Sequence, residues 1–190
     1  GCDFLSATGR KYLRGPRGTG LLYVAQPWIS RLEPPLLDQH AAELTSPTSY
    51  QIRDDARRFE NWECFFAGKA ALGQAIDYAL DWGLPEIADR VGDLANRLRA
   101  SLRAIDGITI TDQGRQQCGI VTFTDQRRSA DEIQKAARAA GFNTSVSSGS
   151  GMFLDFSRRN ISEVVRASVH YFNSEDEIDQ FCAFIAATPE

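Results

Sequence analysis

Residues 6–24 read Ser6-Ala7-Thr8-Gly9-Arg10-Lys11-Tyr12-Leu13-Arg14-Gly15-Pro16-Arg17-Gly18-Thr19-Gly20-Leu21-Leu22-Tyr23-Val24. The Gly15-Pro16-Arg17-Gly18-Thr19-Gly20 run is turn-forming. It joins a short mixed strand, Asp3–Thr8, to Leu21–Val24, an apolar run of buried-strand type. Lys11 stands just past a strand end, which fixes the stem of its side chain. The small residues beside it let a ligand approach the backbone, and Thr8 offers a hydroxyl to an anionic group. An amine placed this way suits attack on a bound aldehyde. Scarcity sharpens the reading: of 21 basic residues only Lys11, Lys69 and Lys135 are lysines.

Outward from this turn, residues 27–61 show no periodicity and hold Pro27, Pro34, Pro35 and Pro47. They read as a long loop of the functional or interface kind. From Trp62 to Gly83 the apolar residues recur at helical spacing. Leu84-Pro85 opens a second helix, with Ile87, Val91, Leu94, Leu98 and Leu102 on one face. Ile108–Thr111 and Gly119–Thr124 read as strands. Ser129-x-x-Glu132 caps a helix that runs to Ala140. Phe142–Val146 is strand-like, 147–162 a Ser/Gly/Arg-rich loop, and Val164–Tyr171 a strand. Ser174-x-x-Glu177 caps the last helix. This alternation is α/β. The opening hairpin, with no earlier strand to pair with, reads as a chain that begins in the middle of a fold.

Composition excludes several classes. With 43% hydrophobic and 24% charged residues the 190-residue chain can bury a core. No apolar run is long enough to span a bilayer, and the opening residues Gly1-Cys2-Asp3-Phe4-Leu5 carry no basic leader. The net charge of −4, without a Lys/Arg cluster, argues against nucleic acid. Cys2, Cys64, Cys118 and Cys182 are far apart, and His40 and His170 are the only histidines, so no zinc cage is expected. The cysteines read as reduced, mostly buried thiols of a cytoplasmic protein.

Residues 2–24 resemble the cofactor-lysine region of the class V aminotransferase family. That family has fold type I and uses pyridoxal 5′-phosphate (PLP). It includes cysteine desulfurases, isopenicillin N epimerase-like proteins and C–S lyases. The shared pattern is a hydroxyl residue, two intervening positions, the Schiff-base lysine, then Gly-Pro-x-Gly-x-Gly and an apolar strand. Arg58-Phe59-Glu60, followed by a long apolar helix, is similar to the family's entry into its small domain. Val165-Arg166-Ala167-Ser168-Val169-His170-Tyr171, with the helix after it, is similar to the family's C-terminal arginine strand. The three matches occur in family order along the whole chain.

The resemblance implies an α/β PLP-dependent transferase fold of type I. Residues 1–60 would be the C-terminal part of the large PLP-binding domain with an interface loop, and 61–190 the small C-terminal α/β domain. It implies Lys11 as the Schiff-base lysine, and Thr8 as a contact of the cofactor phosphate. Arg10, standing where many relatives have histidine, would be a further cofactor contact. Arg166 would grip the substrate α-carboxylate, a role suited to a planar, permanently charged fork on a strand. Trp62-Glu63 replaces a Gly-Thr pair common in the family. The loop from Asn143 to Asn160 lacks the cysteine that desulfurases carry before the arginine strand, which disfavours a desulfurase. The family's groups that pair with and stack on the cofactor ring lie before the lysine.

The leading expectation is the C-terminal portion of a class V aminotransferase-like enzyme acting on an α-amino acid. The alternatives are a PLP-dependent β-eliminating C–S lyase and a non-catalytic truncated domain. The expected partners are an amino-acid substrate and a second copy of the chain, with loop 27–61 at the interface of a homodimer, and neither nucleic acid nor membrane.

Overall fold

The computed structural model describes residues 1–187. Two compact units divide the chain, Gly1–Trp82 and the part from Gly83 onward. The sequence placed a boundary between residues 60 and 61, whereas this division falls one helix later.

The first unit opens with a hairpin. Strand β1 (Phe4–Thr8) pairs antiparallel with β2 (Gly20–Val24), with Thr8 opposite Gly20. A Cβ on Gly20 would fall 2.5 Å from the Ala7 carbonyl oxygen, so only glycine fits that point of the ladder. A one-turn helix α1 (Gln26–Ile29) follows, and then a second hairpin of β3 (Ala42–Ser46) and β4 (Ser49–Ile52). A 3-10 turn at Ala56–Phe59 leads to helix α2 (Phe66–Trp82). The second hairpin was not read from the sequence. Its turn, Pro47-Thr48, lies within a proline-bearing stretch, and the flanking strands alternate weakly. Helix α2 buries Gly68, Leu72 and Ala79 but leaves Phe66, Leu80 and Trp82 exposed. Such an apolar exterior is unusual for a helix with one solvated face.

The second unit is an antiparallel sheet in the order β5-β6-β8-β7, formed by Ile108–Ile110, Ile120–Asp125, Glu163–Ser168 and Ser145–Ser148. Helices α3 (Leu84–Arg103), α4 (Ala130–Ala139) and α6 (Glu175–Ala187) bury their apolar stripes in one cluster with one face of the sheet. Leu94, Leu98 and Leu102 come from α3, Ile133 from α4, Phe181 and Ile185 from α6, and Val121, Phe123 and Val165 from the sheet. Both sequence-read caps form. Ser129 and Glu132 close a reciprocal capping box, and Ser174 N donates to Glu177 while Glu177 N donates to Ser174 Oγ. A short helix α5 (Phe153–Arg159) interrupts what read as a loop over 147–162. Its seven residues are too few to display a period. Among the described residues no helix is long and apolar enough to cross a membrane. Only Cys182 is buried, and burial pushes its thiol up to about 11; Cys2, Cys64 and Cys118 are exposed, against the expectation of mostly buried thiols.

One buried ion pair ties the unit together. Arg99 Nε of α3 donates to Asp112 Oδ2 at 2.7 Å, with side-chain exposures of 2% and 8%. Arg99 Nη2 also donates to the carbonyls of Cys118 and Ile120, at 2.6 and 3.1 Å. Removing one partner strands the other charge in the interior. Arg99→Ala should therefore cost about 3–5 kcal/mol in urea unfolding, whereas an isolated surface arginine would cost under about 1 kcal/mol.

A pH effect follows from the exposed pair Arg90–Glu175. The Arg90 guanidinium holds the Glu175 carboxyl at about 2, below its ordinary 4.5. A folded-state value below the unfolded one stabilises the fold above pH ~4.5, and this gain disappears as pH falls through ~2. The stability difference between the wild type and Glu175→Gln should be largest above pH 4.5 and vanish near pH 2 in chemical unfolding across that range.

Candidate cofactor and substrate site

The lysine turn closes on itself through the main chain. Gly9 N donates to Thr19 O at 2.9 Å, Gly15 N to Gly9 O at 2.8 Å, and Arg14 N to Lys11 O at 2.9 Å. The Thr19 hydroxyl donates to Pro16 O at 2.6 Å. Gly18 adopts φ +79°, a left-handed conformation that favours glycine. The Arg14 guanidinium sits 5.2 Å from the centre of the Tyr78 ring on α2. A turn braced at this many points fixes the stem of Lys11.

Thr8 ends β1, and Arg10 and Lys11 lie in the turn directly after it, so chain connectivity brings these three together. All three are exposed. The Thr8 hydroxyl has a long contact of 3.5 Å to Thr19 O. Among the described residues, neither the Lys11 amine nor the Arg10 guanidinium has an ion-pair partner within the chain. One unpaired amine, a hydroxyl and an unpaired guanidinium on one braced turn are the donor set that a phosphorylated aldehyde requires, so these residues fit PLP. Among the described residues no group of three or more His, Cys, Asp or Glu side chains could hold a metal ion.

The glycine turn also forms one wall of a cavity of about 490 Å³ that sequence reasoning missed. Gly18, Thr19 and Gly20 face His40, Glu60, Trp62 and Lys69 across it. His40 Nε2 is 3.1 Å from Glu60 Oε2, and Lys69 Nζ donates to Glu60 Oε1 at 3.3 Å. The His40 hydrogen bond, helped by Lys69 and opposed by partial burial, holds the Glu60 carboxyl below the usual range. Asp38, outside the cavity lining, braces two of these residues through their main chain. It accepts from Trp62 N at 2.7 Å and from His40 N at 2.8 Å, and the Trp62 bond is the main cause of its lowered pKa. Trp62, at the place of the family's Gly-Thr pair, thus meets Asp38 through its backbone and His40 through a T-shaped ring contact. The signal for this cluster is dispersed over more than thirty positions of the chain, beyond the reach of any local pattern.

Arg166 belongs to the second unit, on the interior strand β8. Its neighbours Val165 and Ala167 point into the core, so the guanidinium stands on the other face of the sheet. In register, Thr122 of β6 lies opposite it on one side and Ser145 of β7 on the other. Among the described residues Arg166 has no ion-pair partner, and its Nε is buried without a hydrogen bond.

The family described as Aminotransferase class-V matches residues 1–181. A probable cysteine desulfurase from Methanothermobacter thermautotrophicus is 29% identical over 185 residues, which cover 94% of this chain and 45% of that protein. The chain therefore spans about half the length of the curated relatives it matches. The apo structure of a cysteine desulfurase from Thermococcus onnurineus NA1 superposes with a TM-score of 0.86 at 24% identity, covering 97% of this chain and 46% of that one. The cystine C–S lyase C-DES, solved with its product cysteine persulfide, has a TM-score of 0.78 at 19% identity over 96% of this chain and 46% of its own. A mutant of that lyase holds glycine covalently linked to its PLP cofactor. The fold is that of these PLP-dependent enzymes, and the chain belongs to the class V aminotransferase family.

Proposed function

We propose that this chain supplies the cofactor lysine and the carboxylate-binding arginine of a PLP-dependent enzyme that breaks the C–S bond of a cysteine-type amino acid. The observation that carries the reading is the unpaired Lys11 amine on a braced glycine turn, in a chain whose curated relatives are named cysteine desulfurases. On the reaction, the leading expectation of an aminotransferase-like enzyme acting on an α-amino acid gives way to the alternative of C–S bond cleavage, because those relatives are named cysteine desulfurases. Disfavouring a desulfurase rested on the absence of cysteine between Asn143 and Asn160, and the names of the relatives weigh against that inference.

PLP, when bound, supplies the electron sink that stabilises negative charge at the substrate Cα. The rest falls to the chain. Lys11 would hold the cofactor through its amine and would move the proton at the substrate Cα. Thr8 and Arg10 hold the phosphate, one by a hydroxyl and one by a charge-assisted bond. Arg166 takes the α-carboxylate through two parallel N–H donors, which fixes the substrate's plane as well as its charge. In this reading residues 1–60 close a larger cofactor domain and 61–190 form the small domain.

A β-eliminating lyase is the second reading, and one observation favours it. The segment between β7 and β8 holds serines, glycines and α5 but no thiol, so sulfur would depart with the product instead of on this loop. The two reactions leave different carbon skeletons. Incubation with L-cysteine and L-cystine should yield alanine for a desulfurase, or pyruvate and ammonia for the lyase. Formation of a new amino acid from an added keto acid, with neither of those products, would restore transamination.

Lys11→Arg keeps the charge but removes the exchangeable amine. Turnover should fall by roughly 10²–10⁴-fold or more, the range for losing a positioned acid–base group. Unchanged turnover would refute the assignment. For the homodimer, the exposed Leu36, Leu44 and Tyr50 are the residues we place at the interface. Sedimentation of the active protein should give a dimer, and Leu44→Glu should shift it toward monomer.

A further inference from the structure

One rung of the sheet in the second unit carries Thr122, Arg166 and Ser145 side by side on β6, β8 and β7. Directly opposed residues on neighbouring strands bring their Cβ atoms to within roughly 4.5–5.5 Å. Thr122 and Arg166 therefore share one face as register neighbours, with no hydrogen bond to the Arg166 Nε in this structure. The hydroxyl of Thr122 is not free to choose its partner. Its proton goes to Asp112 Oδ1 at 2.5 Å, and it accepts from the Thr111 hydroxyl at 2.7 Å. Asp112 is itself immobile, because Oδ1 also accepts from Thr122 N at 2.8 Å and Oδ2 is held by the buried Arg99. An ionised carboxylate only accepts, so the Thr122 proton stays committed and its remaining lone pair can serve only a donor. A guanidinium offers donors alone, and the Nε of Arg166 has no partner in this structure.

We propose that Thr122, polarised by Asp112, is a positioning residue for Arg166: it supplies the acceptor that orients the guanidinium when an α-carboxylate binds. The inference rests on the reading of Arg166 as the carboxylate clamp. A fork held on its inner side keeps its two outer N–H groups parallel to the incoming carboxylate, which is where bidentate recognition gains its specificity. Without that acceptor the charge remains, but the fork swings and the substrate loses its fixed plane.

Binding of L-alanine and of ethylamine to the PLP-loaded holoenzyme, measured by calorimetry, separates the possibilities. Alanine carries the carboxylate and ethylamine does not, and neither has sulfur to lose. Arg166→Ala should weaken alanine strongly and ethylamine little. Thr122→Val, which keeps shape but removes the acceptor, should weaken alanine roughly tenfold, the loss expected for one hydrogen bond to a charged group, and leave ethylamine unchanged. Thr122→Ser should restore alanine binding, and Thr122→Val should add nothing in an Arg166→Ala background. If Thr122→Val weakens both compounds equally, or weakens alanine further without Arg166, the residue is structural and the proposal is overturned. Unchanged alanine binding in Thr122→Val also overturns it. Should Arg166→Ala fail to distinguish the two compounds, the clamp reading itself falls, and the inference with it. A thermal melt of each variant separates these outcomes from misfolding.

Discussion

The interior charge of Arg99 is the constraint on which the second unit depends. A guanidinium 2% exposed must be neutralised within the protein, since water cannot do so, and its Nε and Nη2 are hydrogen-bonded while Nη1 is buried without a partner. Asp112 meets the demand with one oxygen and spends the other on the backbone and hydroxyl of Thr122. The carbonyls of Cys118 and Ile120 take further donors, so the segment between β5 and β6 is fixed at both ends. Arg159 of α5 donates to the Thr111 carbonyl, which ties the same segment to the helix that follows β7. Helix, loop and sheet thus converge on the rung that presents Arg166. The apolar cluster on the opposite face supplies the bulk of the burial, and the inward-facing Val165 and Ala167 set which face of the sheet Arg166 takes.

The first unit is organised differently. Its hairpins bury little: Phe4, Leu5, Leu22 and Tyr23 are about half exposed, and Leu44 and Tyr50 more so. What it holds firmly is the backbone of the lysine turn, through main-chain bonds rather than side-chain packing. That is suited to a group that must meet a ligand, because backbone bracing leaves the side chains of Arg10 and Lys11 without ion-pair partners among the described residues and Thr8 with only one long contact. The cavity beside the turn adds a contrasting set of fully committed groups in Asp38, His40, Glu60 and Lys69.

Local physics made much of this legible in advance. Glycine punctuation located the first hairpin, the helical period located α3, and two Ser-x-x-Glu boxes marked the starts of α4 and α6 to the residue. The misses share a cause. The β3–β4 hairpin and α5 lack strong periodicity and are specified by what they pack against. Asp38 and His40, or Asp112 and Thr122, meet only through tertiary contact. Arg99 stands in the polar positions of an amphipathic helix pattern, and nothing local tells that its head is buried. The site residues named from sequence were those with a local signature, Lys11 above all. Those that orient or surround them were visible only in the fold. Sequence also overstated the burial of thiols, since hydrophobic character alone does not bury Cys118, which stands in the segment before β6.

The proposed reading stands or falls with Lys11 as the residue to which the cofactor attaches. The chain offers three lysines, and Lys69 is already paired with Glu60. Borohydride reduction of the PLP-loaded protein, followed by proteolysis and mass spectrometry, makes the attachment permanent and locates it. A single phosphopyridoxyl group on the peptide containing Lys11 is the expected result. Modification at Lys69 or Lys135 in its place, or no modification of a protein that binds PLP, would contradict it.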